Sequence, residues 1–171
     1  MENILLIANP GSGKGLAEEY AQELQQVLEQ AHQSQVVLKL TQKMEDATEW
    51  ARSACDEGFD TVICLGGDGT VNQVITGLMQ VDPDKRPHFS FVPLGTVNDL
   101  ARSAGFDLDQ ENLIQQFSQL SPVALDIGQA NDQYFMNVLA IGPIPSAVLQ
   151  TESEVKNKIG KLAYLIDGIK A

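Results

Sequence analysis

At 171 residues, 43% apolar and 6% aromatic, the chain is long enough to bury one sizeable core with a small attachment. Its net charge of −12 argues against a nucleic-acid partner, and no apolar run approaches the roughly 20 residues that span a bilayer. Met1 leads straight into an apolar strand with no basic region or cleavage site, and two cysteines, Cys55 and Cys64, cannot build a disulfide framework. The expectation is a cytoplasmic chain with reduced thiols.

In chain order, residues 4–8 read as a fully buried strand. Leu16, Tyr20, Leu24, Val27, Leu28 and Ala31 then recur at three- and four-residue steps, the pattern of an amphipathic helix. Residues 36–40 form a second strand. Met44, Ala47, Trp50, Ala51 and Ala54 make the next apolar stripe, which Gly58 is placed to stop. Residues 61–65 are a third strand, and Val71, Val74, Ile75 and Leu78 line the inner face of a helix over residues 71–79. Residues 89–92 are a fourth strand, ended by Pro93.

Strands alternating with helices indicate α/β architecture, a parallel sheet covered on both faces. Near Pro122 the pattern changes. Residues 123–127 and 134–141 read as short strands of an antiparallel ribbon, joined through the turn-prone residues 128–132. A helical stretch over residues 153–169 follows. The expected division is an α/β domain over residues 1–122 and the beginning of a second, β-rich domain over residues 123–171. Over residues 156–171 Lys156, Lys158, Lys161 and Lys170 face only Asp167, so that tail is locally basic. A solvated helix face and a patch facing phosphate or an anionic membrane both fit.

Three loops leave carboxyl ends of strands, where ligands gather on such sheets. The first reads Asn9, Pro10, Gly11, Ser12, Gly13, Lys14, Gly15. It is not the phosphate-cradling GxxxxGK[ST] loop, because Gly15 follows the lysine. Nor is it the dinucleotide GxGxxG, because the third glycine comes one residue early. A nucleotide contact and a plain helix start remain open for it.

The second loop reads Gly66, Gly67, Asp68, Gly69, Thr70. Glycines permit a tight strand-to-helix turn and let backbone amides approach a ligand, and the helix start favours negative charge. A carboxylate there would repel phosphate unless a cation intervened, so the loop reads as a nucleotide phosphate site needing a divalent metal. The plainer alternative is that Asp68 caps the helix. Asn72, one turn further, is close enough to brace the loop or touch a ligand. The third loop carries Gly95 for close approach and Thr96 as a hydroxyl. Asn98 and Asp99 serve as caps or ligands, and Arg102 holds either Asp99 or an acceptor headgroup.

Together NPGSGKG, GGDGTVNQV and PLGTVNDLAR resemble the diacylglycerol kinase catalytic-domain family, in particular soluble bacterial lipid kinases related to sphingosine and ceramide kinases. The likeness extends over essentially the whole chain, through Asp126–Gly128, Tyr134–Asn137 and residues 155–168. It implies a three-layer nucleotide domain like those of phosphofructokinases and NAD kinases, followed by an all-β domain. It implies ATP and Mg²⁺ as cofactors and a lipid with a free hydroxyl as acceptor, met at the inner face of the membrane through transient surface contact.

Carried onto this chain, the resemblance puts nucleotide contacts at Asn9, Pro10, Gly11, Ser12, Gly13, Thr41, Gly66, Gly67, Asp68, Gly69, Thr70, Asn72, Gly95 and Thr96. Asp68 would organise magnesium through water. The family's general base and a structural magnesium site lie in the second domain, beyond the motifs matched here, so this chain by itself is expected to be inactive. Two prolines, Pro143 and Pro145, also stand where a more permissive glycine-containing segment is expected. An NAD or sugar kinase, or a catalytically silent nucleotide-binding module, are the alternatives. Oligomeric state stays open; apolar surface left by an incomplete second domain would favour self-association, for example as a homodimer.

Overall fold

Four apolar runs become four parallel strands. The computed structural model describes residues 1–106, 108–119, 121–131, 133–136 and 139. Strands β1 (Asn3–Ala8), β2 (Gln35–Leu40), β3 (Thr61–Gly66) and β4 (His88–Pro93) pair in the order β2-β1-β3-β4. Leu6 stands opposite Leu38 on one side and Ile63 on the other. Alternation along the strands sends Ile4, Leu6, Ala8, Ile63, Leu65 and Val92 to one face, and Leu5, Ile7, Val62, Cys64 and Phe91 to the other. Both faces are covered, which is why β1 and β3 read as unbroken apolar runs rather than alternating ones.

Helices α1 (Ala17–His32) and α5 (Gln110–Gln116) cover the first face through Ala21, Leu24, Leu28, Leu113 and Ile114. The second face is covered by α2 (Asp46–Ser53), α3 (Asp68–Leu78) and α4 (Asp99–Ser103), with Ala47, Ala51, Val74, Ile75 and Ala101 inward. Each fully buried leucine or isoleucine contributes about 1.5–3 kcal/mol. Gly77 is required where α3 crosses α2, because a Cβ there would overlap the Thr48 carbonyl and come within 2.9 Å of the Ala51 Cβ. Thr48 Oγ1 donates to the Gln73 carbonyl across the same contact at 3.0 Å. Among the described residues no helix is long and apolar enough to cross a membrane.

The expected α/β fold with a parallel sheet is present, and three details differ. Helix α3 starts at Asp68, not at residue 71. Gly67 is extended (φ −85, ψ 179) and forms its N-cap, so Asp68, Gly69 and Thr70 are its first turn. Helix α2 gives way after Ser53 to a turn that Gly58 closes at φ +87. The ribbon is also displaced. Its strands are β5 (Gly128–Ala130) and β6 (Gln133–Phe135), antiparallel with Gly128 opposite Phe135, while residues 123–127 form no strand.

So β5 occupies what reads in sequence as the turn. Gly128 lacks the side chain that would strike the Phe135 ring, and Asn131 takes the left-handed conformation (φ 53) that a tight reversal needs. Ile127 and Met136, flanking the ribbon, pack on the α3 side of the core. The expected helix over residues 153–169 with its lysines, and residues 140–145 with their prolines, lie outside the described residues.

Candidate functional site

The strand order creates a crevice before any side chain is considered. β1 and β3 are neighbours, yet α1 leaves β1 toward one face and α3 leaves β3 toward the other. At such a switch point the two connections diverge and open a hollow at the strands' carboxyl ends. The first and second loops flank it, and the loop after β4 adjoins.

Hydrogen bonds tie all three loops together. Asn9 N–H extends the ladder to the Leu65 carbonyl at 3.0 Å. Its side chain works both ways: Oδ1 accepts from Gly11 N–H at 3.0 Å, and Nδ2 donates to Thr70 Oγ1 at 3.2 Å. Ser12 N–H returns to the Asn9 carbonyl at 2.9 Å, and Gly13 N–H reaches the Leu94 carbonyl of the third loop at 3.0 Å. Gly13, Lys14 and Gly15 are all left-handed, so this loop turns tightly before α1.

The second and third loops touch backbone to backbone. Leu94 N–H donates to the Gly66 carbonyl at 2.8 Å. A Cβ on Gly95 would lie 2.7 Å from the Gly67 Cα, closer than such atoms approach, while one on Gly67 would lie 3.1 Å from the Gly95 Cα, a tight fit. Asn98 (φ 55, ψ 50) closes the third loop on itself: its Oδ1 accepts from Gly95 N–H at 2.8 Å and its Nδ2 donates to the Gly95 carbonyl at 2.9 Å. Asn98 N–H then donates to Asp68 Oδ2 at 2.9 Å.

The reading in which Asp68 simply caps α3 is therefore corrected: the helix has no side-chain cap, and the carboxylate turns to the third loop instead. The amides of Asp68, Gly69 and Thr70 are left without intrahelical acceptors and favour an anion at this end.

Asn9, Pro10, Gly11, Ser12, Gly13, Gly66, Gly67, Asp68, Gly69, Thr70, Gly95 and Thr96 thus belong to one connected set of loops. Thr41 stands at the end of β2 on the same edge, its N–H on the Ala8 carbonyl at 2.9 Å. The segment after it is ordered by Asp46, whose carboxylate accepts from Gln42 and Lys43 N–H at 2.8 and 3.0 Å. Those backbone bonds, with the Lys43 charge, hold its carboxyl below the usual range despite desolvation.

Asn72 is half-buried on α3 and forms no hydrogen bond with the loops. Thr96 is exposed. Arg102 does not pair with Asp99; its Nε donates to the Val97 carbonyl at 2.8 Å. Asn98 is the residue that sequence reasoning under-weighted. The signal was an asparagine three positions after a loop glycine, able both to adopt φ > 0 and to bond the backbone nearby.

Among the described residues no three His, Cys, Asp or Glu side chains converge as a metal cage. What the rim offers is a different chemistry: bare backbone at Gly67 and Gly95, free helix amides, and the exposed carboxylate of Asp68. That set suits a polyphosphate carrying its own cation better than a cation held by protein alone.

A doubly wound α/β sheet with glycine loops joined at its switch point defines the class. The chain belongs to the diacylglycerol kinase catalytic domain family, whose model matches residues 3–130. It is 34% identical over 173 residues to a diacylglycerol kinase of Bacillus subtilis, covering 99% of this chain and 55% of that protein. It is 34% identical over 165 residues to a diacylglycerol kinase of Staphylococcus carnosus, covering 96% and 53%. A crystal structure of a diacylglycerol kinase from Bacillus anthracis superposes with a TM-score of 0.76 at 26% identity, covering 99% of this chain and 55% of that one. The chain spans just over half the length of these relatives.

Proposed function

We propose that the complete protein containing this chain transfers the γ-phosphate of ATP, with Mg²⁺, to the hydroxyl of diacylglycerol or a related lipid. The single observation that carries this reading is the hydrogen-bonded union of three loops, Asn9 to Thr70, Gly13 to Leu94 and Asn98 to Asp68, at one switch point. Family membership gives the kinase class.

In this reading Asn9 to Gly13, Gly66 to Thr70, Gly95 and Thr96 receive the nucleotide, with Thr41 and Asn72 beside them. Free amides of α3 take the phosphate charge, and Gly67 and Gly95 let the backbone come close. Mg²⁺, when bound, neutralises charge developing on the phosphates. Asp68 orients the water around that ion through its carboxylate, and the loop bonds keep this geometry fixed before substrate arrives.

Residues 1–122 then serve as the nucleotide half, and residues 123–171 begin a second, β-rich domain. No group at this rim is asked to act as general base, so the 171-residue chain alone is expected to give no turnover. The lipid acceptor implies work at the cytoplasmic surface of the membrane. Incubating the complete protein with ATP, Mg²⁺ and a lipid panel, and identifying products by mass spectrometry, tests this. Phosphorylated lipid supports it; phosphorylated NAD or sugar, or tight ATP binding without any turnover, overturns it.

A further inference from the structure

The fold treats the two oxygens of Asp68 unequally. Oδ2 accepts the Asn98 N–H at 2.9 Å, whereas Oδ1 has no hydrogen-bond partner among the described residues, on a residue that is exposed. The donor itself is held by its own residue. Asn98 sits in the left-handed region, which asparagine tolerates better than most side chains. That turn is what lets its N–H reach a carboxylate 30 residues earlier in the chain. The Asn98 amide grips both backbone groups of Gly95. At 9% exposure, water is a poor substitute for those bonds.

We propose that Asn98 is a positioning residue for Asp68: it fixes the carboxylate through Oδ2, so that Oδ1 is presented to the bound ligand. It does so while pinning Gly95 against Gly67, so one residue sets both the carboxylate and the bare backbone of the crevice. The nature of the ligand, magnesium-bound ATP, rests on the kinase reading. The coupling between Asn98 and Asp68 does not.

Two measurements on the complete protein separate these. The first is hydrogen exchange without ligand. The Asn98 amide is expected to exchange about tenfold faster or more in Asp68→Ala than in the wild type, while Leu65 in β3 keeps its protection. Equal rates at Asn98 overturn the proposal. The second is titration of ATP binding with Mg²⁺.

Asn98→Gly keeps the left-handed backbone and removes the side-chain bonds. It is expected to raise the Mg²⁺ needed for half-maximal ATP binding about tenfold, the scale of losing a residue that orients a metal-site group. In an Asp68→Ala background the same change should cost less than it does alone, because the part of its effect carried by the carboxylate is already lost and only the hold on Gly95 remains. Additive losses mean that Asn98 acts only on the fold, and they overturn the proposal. Wild-type protein that binds no magnesium-ATP refutes the kinase reading, and the exchange measurement still decides whether Asn98 holds Asp68.

Discussion

Asp60 and Asp68 bracket β3, one at each end, and the fold uses them in opposite ways. Asp60 is bonded on both oxygens: Oδ2 accepts from Glu2 and Asn3 N–H at 2.6 and 3.0 Å, and Oδ1 accepts from Thr61 Oγ1 at 2.6 Å. Its backbone bonds Asn3 and His88 as well, so it stitches the amino ends of β1, β3 and β4. Partial burial pushes its carboxyl up, but the bonds from Thr61, Glu2 and Asn3 outweigh that and hold it below its ordinary value. Asp68 has one bond, on one oxygen, and is exposed. A carboxylate whose lone pairs are satisfied by protein belongs to the scaffold. One left half-satisfied beside free helix amides is available to a ligand.

The sharpest break of that contrast is in turnover. Asp68→Ala in the complete protein is expected to lower magnesium-dependent lipid phosphorylation about 1,000-fold or more, in line with loss of a group that stabilises developing charge. Its circular-dichroism spectrum should match the wild type, with stability changed by no more than about 1 kcal/mol. Unchanged turnover with a matching spectrum would remove Asp68 from the site. Gly95→Ala comes next. Its Cβ would press on the Gly67 Cα, which is backbone and cannot rotate away. Overpacking of this kind costs about 1–3 kcal/mol, and ATP binding should weaken with it. Calorimetry finding full affinity would mean that the two loops part easily.

How far the sequence discloses these roles follows from the range of each interaction. The sheet is legible because its period and its unbroken apolar runs in β1 and β3 are local signals. The glycine loops are legible because positive φ and close backbone approach leave few residue choices. The ribbon is not legible in place, because its register depends on Phe135 lying over Gly128, a contact that no local pattern announces. Val123 and Leu125 look like strand residues, yet both are exposed. The sequence pattern starts α3 three residues late because Gly69 is a weak helix former, whereas the Gly67 carbonyl already accepts the first helical bond from Val71 N–H. Asn98 was ambiguous for the same kind of reason: its partner Asp68 is distant in sequence.

At the opposite end of β3 the expected effect is on stability instead. Asp60→Asn loses a charge-assisted set of bonds that is partly open to solvent, and about 1–2 kcal/mol is expected after allowing for screening. Turnover per folded molecule should stay near the wild-type value. The carboxyl is lowered in the folded state, so its contribution is present above the ordinary carboxylate pKa and disappears as pH falls through the lowered value. Urea denaturation of the two proteins should therefore converge below about pH 4. A gap that persists unchanged at lower pH would mean that shape, not charge, gives Asp60 its role.

The smallest effect should come from a carboxylate distant from both ends of this comparison in kind. Glu57 meets Lys39 Nζ at 2.8 Å and accepts from Ser53 Oγ at 2.6 Å, while Lys39 lies 5.7 Å from the Trp50 ring centroid. The bond from Lys39, then that from Ser53, lowers the Glu57 carboxyl, yet its side chain is 41% exposed. Water and salt compete for such a pair, and holding two long side chains together costs entropy. Glu57→Gln should lose only about 0.3–0.5 kcal/mol at low ionic strength, and less near 1 M salt, where the screening length is about 3 Å. The Lys39 stem still covers Trp50 in the variant, which keeps the packing part of the contact. ATP binding should be unmoved. A change there would show that the β2 side of the sheet communicates with the loop rim, and that bond saturation alone does not separate scaffold carboxylates from available ones.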